Sequence, residues 1–175
     1  MKFTHTATIP FAADKIHLGE WLFTMSDKDY QAASHQHRGM GTFVENGAKG
    51  MLNVESIGGV LLVQHYHEVR IGKSFVQLVS ERSRAYVMHL VPVAIWVRWT
   101  MGITPEAADE STFSCMVETT MPGLVLLMSR ATGLPGFIRR HIIEETEGFA
   151  ADITRKLWSQ RAARAAAAST RSHSE

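Results

Sequence analysis

The stretch Pro135–Gln160, PGFIRRHIIEETEGFAADITRKLWSQ, decides how this chain is read. Proline suits the first position of a helix, where its missing N–H is no loss. At about 100° per residue from Phe137, Ile138, Ile142, Phe149 and Ile153 fall within one stripe. Arg139, Arg140, Glu144, Glu147 and Arg155 lie largely outside it. The spacing predicts one long helix laid against a core, running to about Gln160. Its exception is Glu145, which falls near the middle of the apolar stripe, with His141 on the flank. Residues four apart on a helix are neighbours, so both side chains share the inward surface.

A carboxylate on a buried face is costly unless something pairs with it. Three readings of the pair stand side by side. The first is a structural His141–Glu145 hydrogen bond, or a salt bridge to a buried arginine such as Arg98. The second is metal ligation by both residues: a helical His-x-x-x-Glu offers one nitrogen and one oxygen on one face, which suits zinc or a similar divalent ion. The third is a metal-free acid–base pair. A metal would need one or two more ligands, and His35-Gln36-His37 and His65-Tyr66-His67-Glu68 could supply them. On a strand, His65 and His67 point to one face with Leu61, Val63 and Val69, whereas Tyr66 and Glu68 share the other with Leu62 and Gln64. Both faces are mixed, so alternation does not say which is interior. His35 and His37 precede Gly39 and Gly41 at a helix-to-strand loop, where histidines are solvated unless they rim a pocket.

Outward from the long helix, Leu124–Ser129 reads as a shorter helical piece after Pro122. Upstream, Thr42–Val44, Gly50–Ser56, Val60–Val69, Ser74–Ser80, Ala85–Ile103 and Thr112–Thr120 are β-branched or aromatic runs. Asn46-Gly47, Gly58-Gly59, Ile71–Lys73, Glu81–Arg84 and Pro105–Glu110 are the turns between them. Such a succession implies an antiparallel meander. Ala85–Ile103 is too long for one strand, and Pro92 is expected to interrupt it. Thr6–Phe11 reads as an edge strand, followed by a short helix capped by Asp14 and a second over Asp27–Ala33. Arg161–Glu175 is low in complexity; its alanines could prolong the helix, but a frayed tail is expected. Residues 1–160 then form a single domain. Cys115 alternates with Phe113 and Val117 as an inert core thiol. Trp96 and Trp99 cannot share a strand face. Gly58-Gly59 lacks the helix start and Lys-Ser/Thr of a phosphate loop.

The chain has 175 residues, 45% hydrophobic and 20% charged, an ordinary globular mixture. Eighteen Lys+Arg against 17 Asp+Glu leave a net charge of +1, which argues against nucleic acid as the main partner. One cysteine excludes a disulfide framework or a cysteine-cluster zinc module. No start signal carries an apolar h-region, and no run approaches the roughly 18 apolar residues of a membrane span. The expectation is a cytoplasmic protein. Nine histidines stand out.

The order of strand, two short helices, meander and long terminal helix resembles the helix-grip fold of the START/Bet v1-like superfamily (SRPBCC, polyketide cyclase). The resemblance covers about Thr6 to Trp158 and is strongest over Pro122–Lys156. It implies an α+β fold in which a curved antiparallel sheet wraps round the terminal helix, with a cavity between them for an apolar or aromatic small molecule. Members include lipid carriers, polyketide aromatase/cyclases and a branch of metal-dependent hydrolases. Within that branch the chain looks most like the diacetylphloroglucinol hydrolase type, which cleaves a carbon–carbon bond in an acylated phenol. Val97-Arg98-Trp99-Thr100-Met101-Gly102 resembles a strand segment of that type. The likeness implies zinc, held by a His and a Glu from the sheet side and by the helical His-x-x-x-Glu. His141 and Glu145 match the helical pair; His37 and Glu68 are the best sheet-side placement, with His65 and His67 as competitors. This chain is shorter than those hydrolases.

The function so implied is a metal-assisted hydrolase or lyase acting on an aromatic or polyketide-like molecule. His141, Glu145, His37 and Glu68 are the expected ligands, and His65 or His67 the general base, since imidazole titrates near neutral pH. The alternatives are a metal-free cyclase or dehydratase and a non-enzymatic carrier. Trp96, Trp99 or the alanine-rich tail could serve a homodimer contact.

Overall fold

Strand-forming runs separated by turns of two or three residues set the architecture. In the computed structural model, which describes residues 1–171, the strands are β1 Lys2–Ile9, β2 His37–Glu45, β3 Ala48–Ile57, β4 Val60–Ile71, β5 Phe75–Val87, β6 Val91–Ala107 and β7 Glu110–Thr120. They form one antiparallel sheet in the order β1-β7-β6-β5-β4-β3-β2, a meander whose first strand returns to pair with the last. Asn46-Gly47 and Gly58-Gly59 all have positive φ, between 51° and 81°, as two-residue hairpin turns require. Gly58-Gly59 is therefore a hairpin turn.

The expected turn at Glu81–Arg84 is instead a register shift between Ser80 and Ser83 within β5. The local polarity suggested a loop, but the two serines are buried and satisfied. Ser83 Oγ donates to Ser80 Oγ at 2.7 Å, and the His65 amide donates to Ser80 Oγ at 3.1 Å. The chain reverses later, at Met88-His89, with φ of 50° and 62°. Pro92 does not interrupt a strand; it is the second residue of β6, where a missing donor is tolerated.

Helices cover one face of the sheet. A 3-10 turn, Ala13–Lys15, holds Asp14, which does not cap a helix; α1 is Leu18–Thr24. The second helix, α2, spans Asp27–Ala33 as the sequence predicts, and the Ser26 hydroxyl caps it by accepting the Asp29 amide at 3.1 Å. Then follow α3, Gly123–Ala131, and α4, Leu134–Arg171. Where a frayed tail was expected from Arg161, α4 continues to Arg171, because alanine is the strongest helix former. Residues 172–175 of that tail lie outside the described residues.

Ile142, Phe149 and Ile153 of α4 are buried against the sheet, as are His141 and Glu145, whereas Phe137 is half exposed over the Gly58 turn. Phe149 packs among Trp21, Tyr30 and Trp99. Of the two β6 tryptophans, Trp99 is inside; Trp96 lies outside beneath the Arg98 guanidinium. Arg98 is thus no partner for Glu145. It reaches Glu118 on the outer face at 3.2 Å. Gly148 lets α2 approach α4: a Cβ there would stand 2.2 Å from the Ala33 carbonyl oxygen. That contact brings the end of α2 beside His141. Among the described residues no helix is long and apolar enough to cross a membrane.

Candidate functional site

Strand alternation and one helix face bring four side chains together. On β3, Met51, Asn53, Glu55 and Ile57 point inward, so Glu55 enters the space under α4. His37 opens β2, immediately before a register shift. His141 and Glu145 descend from α4. One ligand atom from each of His37, Glu55, His141 and Glu145 lies within 4.8 Å of all the others, and all four residues are buried. His37 Nε2 is 3.4 Å from Glu145 Oε1, and His141 Nε2 is 3.5 Å from Glu55 Oε2.

The partners behind these groups fix their orientation. His37 Nδ1 is 2.6 Å from the Tyr30 carbonyl, which only accepts, so Nδ1 carries a proton. In the neutral ring Nε2 is then a lone pair, and this buried atom has no hydrogen-bond partner among the described residues. Tyr30 also stacks on the His37 ring at 3.8 Å, and its hydroxyl donates to Glu55 Oε1 at 2.7 Å. His141 Nδ1 lies 3.3 Å from Ser34 Oγ, whose hydroxyl donates to Glu144 Oε2 at 3.3 Å. That arrangement makes the serine oxygen an acceptor for His141 Nδ1–H and turns Nε2 towards Glu55. The Cys115 thiol donates to Glu145 Oε2 at 3.5 Å and receives the Trp99 indole N–H at 3.1 Å.

Burial alone would lower the His141 pKa, but the Glu55 hydrogen bond and the charges of Glu55 and Glu145 outweigh it and lift the pKa to about 8. Burial would likewise raise Glu55; the His141 bond and the charges of His141 and His37, with the Tyr30 hydroxyl, hold it at about 2. Burial, reinforced by the neighbouring carboxylates, pushes Tyr30 and Cys115 well above their usual ranges, so both remain donors. His37 Nε2 faces Glu145 Oε1 at 3.4 Å without a hydrogen bond, an approach that a cation between the two atoms would satisfy. Two imidazoles and two carboxylates are a donor set that suits zinc or a similar divalent ion.

Glu55, His141 and Glu145 form part of the wall of a cavity between the sheet and the α3–α4 segment. Leu62, Tyr66, Val97, Trp99, Val125 and Ile138 make much of the remaining, largely apolar wall. Gln64 Oε1 and Thr119 Oγ1, also on cavity-lining residues, are buried without a hydrogen-bond partner among the described residues.

Three of the four residues named as ligands from sequence, His37, His141 and Glu145, meet here. Glu68 does not. It is six residues beyond Leu62, the cross-strand partner of Glu55, or about 20 Å along the strand. Glu55 occupies the place assigned to it. The signal for Glu55 was available: a carboxylate at an inward position of an alternating strand, the argument already applied to Glu145. His65 and His67 face outward, against Phe43 at 4.6 and 5.6 Å, and His67 Nδ1 is 3.8 Å from Glu45. Neither lines the cavity.

No protein-family model matches the sequence, and no curated protein matches it. Solved structures do match in fold. The Zhui aromatase/cyclase from Streptomyces sp. R1128 superposes with a TM-score of 0.63 at 11% identity, covering 90% of this chain and 95% of that one. A conserved protein from Geobacillus kaustophilus gives 0.61 at 9% identity, covering 89% and 96%. A START superfamily protein from Mycobacterium smegmatis gives 0.56 at 13% identity, covering 87% and 99%. The likeness is one of architecture: this chain has the α+β helix-grip fold of START superfamily and aromatase/cyclase proteins.

Proposed function

We propose that this helix-grip protein is an enzyme that acts on an aromatic or polyketide-like small molecule in its cavity. A divalent cation, zinc by the donor set, is held by His37, Glu55, His141 and Glu145. The observation carrying this reading is the convergence of four buried ligand atoms within 4.8 Å, among them a His37 Nε2 that makes no hydrogen bond among the described residues. Such an ion, when bound, polarises a carbonyl or phenolate and lowers the pKa of a water, chemistry suited to hydrolysis or lyase-type cleavage of a carbon–carbon bond.

The chain's own groups have separate tasks. The Tyr30 carbonyl and Ser34 hydroxyl hold the two imidazoles with Nε2 inward. The Tyr30 hydroxyl and Cys115 thiol orient the carboxylates. Apolar walls exclude water and strengthen every electrostatic interaction within. His65 and His67 face away from the cavity, which removes them from proton transfer. Tyr66 borders the cavity, and burial, with the charges of Glu55 and Glu145, keeps its hydroxyl protonated as a donor.

The likeness to an aromatase/cyclase favours a second reading, a metal-free cyclase or dehydratase. There the coupled Glu55 and His141 would shuttle protons around a bound polyketide. Elemental analysis of the purified protein separates the two, with Glu55→Gln and His141→Ala for comparison. Near-stoichiometric divalent metal, lost in both variants, supports the first. A well-folded preparation without metal, or activity that survives a chelator, sinks it and leaves the second. Unchanged ligand affinity in His141→Ala with no turnover would indicate a carrier.

A further inference from the structure

At the end of the sheet formed by the β3–β4 and β5–β6 turns, Ile57, Val60 and Val87 line the cavity and exposed apolar side chains gather. Two turns meet there, Gly58-Gly59 and Met88–Leu90, and α3 contributes Val125 to the wall of the same cavity. Ser56 Oγ lies 3.5 Å from His89 Nε2, and Phe137 covers Gly58. Met88, Leu90 and Val91 on one element and Leu124, Leu127 and Met128 on another are each more than half exposed. Their chain neighbours Val87, Met121 and Val125 line the cavity. The sequence of α3, GLVLLMSRA, turns Val125 inward and Leu124, Leu127 and Met128 outward, leaving almost no polar face. A helix apolar on both sides needs an apolar phase on both sides.

Charge is distributed to match. Residues 82–105 and 119–143 contain six arginines and no Asp or Glu, and residues 56–67 contain no acid either. All 17 acidic residues lie in other segments of the sequence, and two of them reach these arginines: Glu118 pairs with Arg98 at 3.2 Å and Glu144 with Arg140 at 3.6 Å. Exposed Arg130 and Arg139 flank the apolar residues of α3 and the start of α4.

We propose that this end docks on a phospholipid bilayer carrying anionic headgroups. The apolar side chains of the β5–β6 turn and α3 enter the boundary between headgroups and acyl chains, and Arg130 and Arg139 meet phosphates. An apolar ligand then passes between bilayer and cavity without crossing water. The exposed side chains stand on separate elements around an opening. A rigid protein face would leave that hollow unfilled, whereas a deformable, apolar phase fills it. The proposal rests on the surface and the cavity and is independent of any metal.

The test is co-sedimentation of the full chain with vesicles of phosphatidylglycerol or phosphatidylcholine, at low and high salt. Binding is expected to phosphatidylglycerol above phosphatidylcholine and to weaken with salt. Leu124→Glu/Leu127→Glu and Arg130→Glu/Arg139→Glu should each weaken it about tenfold or more, with unchanged thermal unfolding. Val44→Glu, exposed at the opposite end of the sheet, should bind as the parent does. Absence of binding to either lipid, equal binding to both, or undiminished binding by the α3 variant overturns the proposal. So does a concentration-dependent dimer broken by the same variants, which would assign the surface to a second copy.

Discussion

Tyr30 touches the site in three ways, and the three can be separated. Its ring stacks on His37, its carbonyl accepts the His37 Nδ1 proton, and its hydroxyl holds Glu55 at 2.7 Å. Tyr30→Phe keeps the first two and removes the third. Because groups behind a ligand set its orientation, the variant should bind zinc about 10–100-fold more weakly than the parent. Competition with a chromophoric chelator measures this. Removing a donor from a buried carboxylate also costs about 1–3 kcal/mol of stability, so chemical denaturation of the metal-free forms is the companion measurement. Unchanged zinc affinity in a destabilised variant would mean that the hydroxyl matters to the fold alone.

Helix packing places these side chains, and Gly148 is where it is most exacting. Alanine in a helix interior is favoured over glycine by about 1 kcal/mol, so propensity alone would make Gly148→Ala stabilising. A Cβ 2.2 Å from the Ala33 carbonyl decides otherwise, since backbone cannot swing aside as a flexible side chain does. Overpacking of this kind costs about 1–3 kcal/mol. The variant should unfold at lower denaturant concentration and bind zinc less tightly, because α2 moving off α4 takes Ser34 from His141 and Tyr30 from Glu55. Much at this scale was legible in sequence: α2, the glycine turns and the inward pair His141 and Glu145 follow from spacing and turn chemistry. Other features depended on tertiary context. Ser80 and Ser83 look like loop residues until their hydroxyls are seen to satisfy a shift inside β5. Glu68 and Glu55 both occupy strand positions sharing a face with apolar residues, and only the register of β3 against β4 shows which lies under α4.

For the molecule as a whole, the buried cluster links stability to protons, and the proposed cation would act on the same groups with the opposite sign. His141 is raised from 6.5 to about 8 on folding. A raised basic group contributes stability that is complete below pH 6.5 and is lost as the pH climbs through 8. The shift corresponds to about 2 kcal/mol. Glu55 is depressed from 4.5 to about 2, so its contribution is present above pH 4.5 and disappears as the pH falls towards 2. Each partner causes much of the other's shift, so the two contributions overlap and are not summed. Metal-free protein should therefore be most stable between about pH 4.5 and 6.5. A cation bound at His141 Nε2 would compete with the proton held there, so zinc affinity should rise as the pH climbs towards 8. Urea denaturation of chelator-treated protein at pH 6 and pH 8.5, with and without added zinc, tests both halves. Without zinc the free energy of unfolding should fall between the two pH values; the increment given by zinc should grow. An increment that is flat with pH, beside an intact fall in the metal-free protein, would mean that zinc binds away from His141 and that the four-residue cluster is a proton-sharing site.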